Sequence, residues 1–420
     1  MIPACDARAR LPLFALLAAN AVSMLGNVFA LIAIPWYVLE TTGSASQAGL
    51  TGFAAALPFI IAGVFGGALV DRFGFRRMSI VSDIISSVAV AAIPLMAVTV
   101  GLEFWQLLVL VFIGGLLDTP GTTARMSLLP DLTERAGMKL ERVNAIEQLI
   151  QRASYLLGAP VAGLIIAGAG VDAALWIDAA SFLVSAALIV VCIPASMARQ
   201  HEERPASGGY RNDLRVGFDF IRRDSLILCL VIQVSLMNFI DAMIGLIIPV
   251  YAVEVYGSAA SLGLMLAAHG AGAVVTTLLF AAVGHRVPRR NLYIASFVLA
   301  GVPLISLAFM PVLALTLAAL VVRGFGAGPL NPILMTVNQE RVPPELRGRV
   351  FGVITSIAWL AIPIGRLLAG YLVEWAGLPL AIGGVAVIYI LAALSMFRVS
   401  ALREMDVRVG AAARAGTVSA

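Results

Sequence analysis

The chain has 420 residues, of which 60% are apolar (Ala, Val, Ile, Leu, Met, Phe, Trp, Tyr, Cys) and only 12% charged, with a formal net charge of +4; its mean hydropathy is +0.97. Soluble domains are about 45–50% apolar and about a quarter charged, so the polar side chains here are too few to cover a water-soluble interior. This balance excludes an ordinary soluble enzyme, a disordered chain and a nucleic-acid binder.

A helix that crosses a bilayer takes about 20 apolar residues at about 1.5 Å rise each. In chain order such runs stand at 12–39, 47–70, 78–100, 104–125, 143–169 and 173–193. A second set stands at 225–252, 259–283, 291–310, 312–336, 350–374 and 378–397. The fold class expected is an all-α membrane protein, with twelve transmembrane helices in two pseudo-symmetric six-helix bundles. The expected domains are an N-terminal bundle over 1–197, a linker over 198–224, a C-terminal bundle over 225–400 and a tail over 401–420. In the linker, Leu214, Phe218 and Ile221 recur at i, i+4 and i+7 beside Arg211, Arg215, Arg222 and Arg223. That pattern predicts an amphipathic helix over 213–224, lying on headgroups or solvated as a plain linker.

Lys and Arg occur in alternate connections. They stand before span one, between spans two and three, four and five, eight and nine, ten and eleven, throughout the linker and after span twelve. The other connections carry acids instead: Glu40, Glu103, Asp172, Glu254 and Glu374. By the positive-inside rule both termini are expected in the cytoplasm, with the chain in a bacterial inner membrane. The same rule accounts for the basic pI without a nucleic-acid partner. Arg8, Arg10 and Ala19-Asn20-Ala21 also fit a cleaved signal, but the apolar run continues to Leu39, and cutting it would reverse the charge parity of every later loop. Cys5, Cys192 and Cys229 show no metal-binding or disulfide spacing.

Between spans two and three stands Gly67-Ala-Leu-Val-Asp71-Arg72-Phe-Gly74-Phe75-Arg76-Arg77. It resembles the G-x-L-x-D-R-x-G-R-R signature of the major facilitator superfamily, departing at Phe75. A worn copy, Gly284-His285-Arg286-Val-Pro-Arg289-Arg290, occupies the equivalent loop of the second half. Leu128-Leu-Pro130-Asp131-Leu, Leu157-Gly158-Ala-Pro160-Val-Ala-Gly163, Asp178-Ala-Ala-Ser181-Phe182 and Val342-Pro-Pro-Glu345-Leu-Arg347-Gly348-Arg349 resemble the macrolide-efflux and siderophore-export branch. The resemblance implies alternating access between two halves. It assigns Gly67, Asp71, Arg72, Gly74, Arg76 and Arg77 to a conformational switch, and Gly158, Pro160 and Gly163 to helix kinking and packing. Two antiporter signatures are poor: span four lacks a mid-helix Arg in an R-x-x-x-G setting, and span five keeps only Pro160 and Gly163 of its motif.

Ionisable residues inside spans are expensive and face a cavity or a partner. Asp241, His269, Arg323 and Arg366 fall near one midplane layer; Asp118 and Arg152 match in depth, with Glu147 about one turn further out. Asp241, Asp118, Glu147 and His269 are the proton-coupling candidates, since burial and an arginine neighbour act on a carboxyl in opposite senses. Asn27, Arg152, Asn238, Arg323 and Arg366 are the substrate-cavity candidates, the arginines suiting an anionic substrate group. The alternative makes Asp118–Arg152 and Asp241–Arg366 buried structural pairs. Asp83 and Asp178 are expected near the membrane faces as packing or capping residues. Gly324-Phe-Gly326-Ala-Gly328 lies inside span ten without a preceding strand, so it reads as helix packing and not as a nucleotide loop.

No Walker loop, metalloprotease motif or nucleophile elbow is present, so the chain is expected to be no enzyme and to hold no cofactor or metal. The expected function is secondary transport: proton-driven efflux of an amphipathic drug-like, macrolide-like or siderophore-like compound by a monomer in the lipid bilayer. A lysophospholipid flippase, a metabolite importer and a membrane sensor are the alternatives.

Overall fold

The computed structural model describes residues 7–194 and 210–406. Among them twelve helices are long and apolar enough to cross a membrane, and no strand occurs. In chain order the helices are α1 (Ala7–Thr42), α2 (Ala45–Phe73), α3 (Phe75–Thr99), α4 (Phe104–Arg135), α5 (Leu140–Ala169) and α6 (Val171–Cys192). There follow α7 (Tyr210–Arg223), α8 (Ser225–Tyr251), α9 (Ala259–Val283), α10 (Arg289–Leu307), α11 (Leu313–Ala327), α12 (Leu330–Arg341), α13 (Arg347–Ala376) and α14 (Leu378–Ser395).

Local chemistry sets these boundaries. Ser44 starts α2, its hydroxyl accepting from the Gln47 amide at 3.2 Å. Glu103 and Gln106 form a reciprocal capping box at α4. Gly74 alone joins α2 to α3, with φ 78°; a side chain there would be strained, so this one-residue turn requires glycine. Asp224 accepts from the Leu226 and Ile227 amides at 3.0 Å each and so opens α8 directly after α7.

Three boundaries differ from the expected spans. Helix α4 continues ten residues beyond the apolar run that ends at 125, because Leu128, Leu129 and Leu132 pack into a core with Leu13 and Leu16 of α1. Span ten is broken: α11 ends at Ala327 and α12 begins at Leu330. Pro329 stands at the break and lacks the amide hydrogen that would continue the helical ladder. The linker helix begins at Tyr210; residues 198–209 of the expected linker, and 407–420 of the tail, lie outside the described residues.

Contacts divide the chain into two units: Met1–Glu203 with Ala252–Ala267, and Arg204–Tyr251 with Ala268–Ala420. In the first unit α1 packs on α5 and α6, and α3 on α4 and α6. Gly158 abuts Leu25 and Val28 of α1. Gly163 faces the Ala259 backbone, and Gly263 faces Ala159 and Pro160, so small residues bring these backbones together. In the second unit α8 packs on α13 and α14, and α10 on α11 and α14.

Basic residues fasten the helix ends. Arg76 donates to the Ile193 carbonyl at 2.7 Å and the Val190 carbonyl at 2.9 Å, capping the last turn of α6; Arg77 is exposed. The surroundings of Gly67 and the side chains of Asp71 and Arg72 lie outside what the structure describes. In the second unit Arg289 grips Glu340 with two bonds, at 2.6 and 2.9 Å. Arg341 reaches both Asp224 and Glu404 at 2.6 Å.

Candidate functional site

Two polar clusters lie inside the spans, one in each unit. In the second, glycines fix the approach of α9 to α11. A Cβ on Gly324 would strike the His269 carbonyl, one on Gly272 the Val321 carbonyl, and one on Gly328 the Ala273 carbonyl at 2.6 Å. Gly326 instead faces α10 at Ser296 and Ala300. With one glycine row toward α9 and one glycine toward α10, the side chain of Arg323 reaches α8 and α9.

Arg323 donates to Asp241 at 2.5 Å, and its other terminal nitrogen lies 3.2 and 3.3 Å from the two ring nitrogens of His269. The Arg323 side chain is 11% exposed, whereas that of Asp241 is 40% exposed. The carboxylate opens on a cavity of about 310 Å³, lined by Asp241, His269, Ala300, Arg323, Ala327, Leu330 and Tyr389. Ala327 and Leu330 flank the break in span ten, so the interrupted helix itself shapes the wall, as is common where transporters hold their cargo. Chemically the site offers one accessible anion, a buried cation, an imidazole and apolar walls.

The pairing of Asp241 with Arg366 is corrected: the ion pair is with Arg323. Arg366, half-buried on α13, is not part of the cavity lining. Depth alone could not choose between the two arginines, because the choice depends on rotation about each helix axis. Asn238 donates to the Ala358 carbonyl at 3.0 Å, where it bonds α8 to α13.

In the first unit the centre is Arg125, the last residue of the expected span four. It is 2% exposed, donates to Asp83 at 2.6 Å and lies 4.0 Å from Asp118. Asn27 donates to Asp118 at 3.2 Å, and Ser185 donates to the second oxygen of Asp83 at 2.7 Å. Four helices, α1, α3, α4 and α6, therefore meet on one buried network. Glu147 of α5 is also buried and accepts from Asn20 of α1 at 3.4 Å.

The pairing of Asp118 with Arg152 is likewise corrected. Asp118 and Arg125 stand seven residues apart, two turns along one face of α4, so they share a neighbourhood. Arg152 is exposed. Asp83 is no capping residue at a membrane face but half of a buried ion pair. Asp178 is also buried, against Gly26 of α1. One signal could have revealed Arg125: Gly121, one turn earlier, where any Cβ would crowd Ser82 of α3 at 2.7 Å. A small residue beneath an intramembrane arginine marks a face pressed on its neighbour. Among the described residues no group of three or more His, Cys, Asp or Glu is placed to hold a metal ion.

Comparison with known proteins bears on what such an arrangement does. The family profile described as Major Facilitator Superfamily matches residues 16–259 and 231–417. The chain is 34% identical over 400 residues to the "Multidrug efflux pump Tap" of Mycobacterium tuberculosis, covering 94% of this chain and 95% of that one. It is 26% identical over 381 residues to "Macrolide efflux protein A" of Streptococcus pyogenes, covering 88% and 91% respectively. In fold it is similar to the crystal structure of the nucleoside transporter NupG, with a TM-score of 0.76 at 13% identity over 93% of this chain and all (100%) of that one.

Proposed function

The chain belongs to the Major Facilitator Superfamily, and on that premise we propose that it exports an amphipathic drug-like compound, macrolide-like or siderophore-like in character, in exchange for protons. The observation that carries this reading is the Asp241–Arg323 ion pair at the edge of a cavity of mixed polar and apolar lining. A carboxylate 40% exposed can exchange a proton with the cavity, while its buried guanidinium partner cannot follow it into water. Protonating Asp241 removes the ion pair and leaves Arg323 with His269, so the ionic link between α8 and α11 depends on whether the proton is present. An event of that kind can bias two conformational states.

The relatives named for multidrug and macrolide efflux support the direction and the class of cargo. The apolar wall of Ala300, Ala327, Leu330 and Tyr389 suits a cargo with a large apolar body and few polar groups. The second cluster, Asp83–Arg125–Asp118 with Asn27 and Glu147, is the first unit's counterpart, with Asp118 and Glu147 as further proton carriers. The switch role of Gly67, Asp71, Arg72, Gly74, Arg76 and Arg77 is part of the same reading. Of the substrate-contact candidates Asn27, Arg152, Asn238, Arg323 and Arg366, this reading keeps Arg323, which lines the cavity. The arginine distribution supports a bacterial inner membrane with both termini cytoplasmic, and the protein acts as a monomer without enzymatic activity.

The test is transport by the purified protein in liposomes. A fluorescent macrolide or cationic dye should move against its gradient when a proton gradient is imposed, and should stop when a protonophore is added. Equal movement with and without the gradient would leave only facilitated diffusion.

A further inference from the structure

Helix α7 is docked on the second unit by only part of its circumference. Ile221 is 1% exposed in a core with Ile227, Val231, Val342, Val350 and Val353. A Cβ on Gly217 would meet the Arg349 carbonyl at 2.8 Å, so no side chain fits between α7 and α13 there. The adjoining face is uncovered. Leu214 is 36% and Phe218 46% exposed, and at four residues apart they form one apolar stripe. Beside that stripe stand Arg215, 82% exposed and 3.9 Å from the half-exposed Asp219 of the next turn, and Arg222, whose guanidinium lies 5.8 Å from the Phe218 ring centroid; Arg223 is exposed as well, so the basic groups of this end of the helix outnumber its one acid.

Position decides what covers this face. One residue, Asp224, separates the end of α7 at Arg223 from the start of the membrane-crossing α8 at Ser225, so α7 ends where the chain enters the bilayer. A stripe of apolar side chains bordered by arginines is complementary to that surface: acyl chains take Leu214 and Phe218, and phosphates take the guanidinium groups. A water-facing helix would gain nothing from Leu214 and Phe218 outside. We infer that α7 is a docking surface for anionic phospholipid, with Arg215, Arg222 and Arg223 on the headgroups and Leu214 and Phe218 among the acyl chains. Because α7 is packed on α13 through Gly217 and Ile221, lipid bound there braces the ends of α8 and α13.

The experiment is thermal unfolding of the full-length protein in detergent, titrated with phosphatidylglycerol or with phosphatidylcholine of the same chains. The expected result is a rise in melting temperature with phosphatidylglycerol and a much smaller one with phosphatidylcholine. An arginine near an anionic surface is worth about fivefold in binding. The triple variant Arg215→Ala, Arg222→Ala, Arg223→Ala should therefore need about a hundredfold more phosphatidylglycerol for the same rise. Phe218→Ser should weaken the response with the arginines intact. The control is Arg135→Ala, Lys139→Ala, Arg142→Ala, which removes the same charge from the exposed connection between α4 and α5 and should keep the response. The exposed positions of Arg215, Arg222 and Arg223 leave the fold intact, and an unchanged melting temperature in phosphatidylcholine verifies it. The inference is overturned if both lipids act alike, if inorganic phosphate reproduces the rise, or if the control triple loses as much as the α7 triple. Crosslinking of Phe218→Cys chains into dimers, with no selectivity for phosphatidylglycerol, would overturn it in favour of a second copy.

Discussion

Arg125 of α4 donates to the Asp83 carboxylate of α3 at 2.6 Å, and neither side chain is more than 2% exposed. Asp118 waits on the other terminal nitrogen, 4.0 Å away. Breaking a buried pair leaves a charge without compensation and costs about 3–5 kcal/mol. Arg125→Leu should be the more damaging change, because it strands two acids; Asp83→Leu leaves Arg125 with Asp118. The double variant should lose less than the sum of the single losses. Unfolding in detergent, followed by melting temperature, measures all three; strict additivity would contradict the pairing.

The glycine rows of span ten lead to a second prediction. Gly324→Ala places a methyl group on the His269 carbonyl, and Gly326→Ala on α10. Each should destabilise by about 1–3 kcal/mol, as overpacking does, and should also impair transport by displacing Arg323. Gly245→Ala, in α8, meets nothing within 4 Å. It should be neutral or should stabilise by up to about 1 kcal/mol. The three melting temperatures check this directly.

Arg76 and Arg77 are neighbours with different work. Arg76 satisfies two carbonyls at the end of α6, at 2.7 and 2.9 Å, whereas Arg77 is exposed. Arg76→Ala should cost about 1 kcal/mol or more, the scale of charge-assisted hydrogen bonds. Arg77→Ala should stay within about 0.5 kcal/mol of the parent. Equal losses would mean that Arg76 does not cap α6.

Arg341 holds Asp224, at the start of α8, and Glu404, beyond α14, both at 2.6 Å. The groups are only partly buried, so Arg341→Ala should lower stability modestly, by about 1–2 kcal/mol. The loss should shrink as salt is raised from low to high concentration. A loss independent of salt would assign Arg341 a packing role instead.

The twelve spans were legible because hydrocarbon thickness imposes a length that hydropathy reads directly. Depth was legible too, since rise per residue is constant, and this grouped Asp241, His269 and Arg323 in one layer. Partner choice was not. Whether Asp241 meets Arg323 or Arg366 depends on helix rotation, which Gly324 and Gly328 set through contacts far apart in sequence. Arg125 was lost for another reason: hydropathy falls at Ser127 and Pro130, while the helix runs on to Arg135 because α1 covers Leu128, Leu129 and Leu132. Pro329 leaves no mark in the hydropathy pattern, because the apolar run continues past it. The amphipathic period of α7 was plain, but which part of its face docks on protein follows from Gly217, whose role only the α13 contact reveals.

In the proposed exchange the Asp241–Arg323 pair couples protons to cargo. The most direct test of this coupling is the proton flux released when cargo is added to liposomes holding either the wild type or Asp241→Asn, read with an entrapped pH dye. The wild type should move protons opposite to cargo, and Asp241→Asn should bind cargo but move no protons. Unchanged proton flux in Asp241→Asn, with cargo transport intact, would contradict the claim.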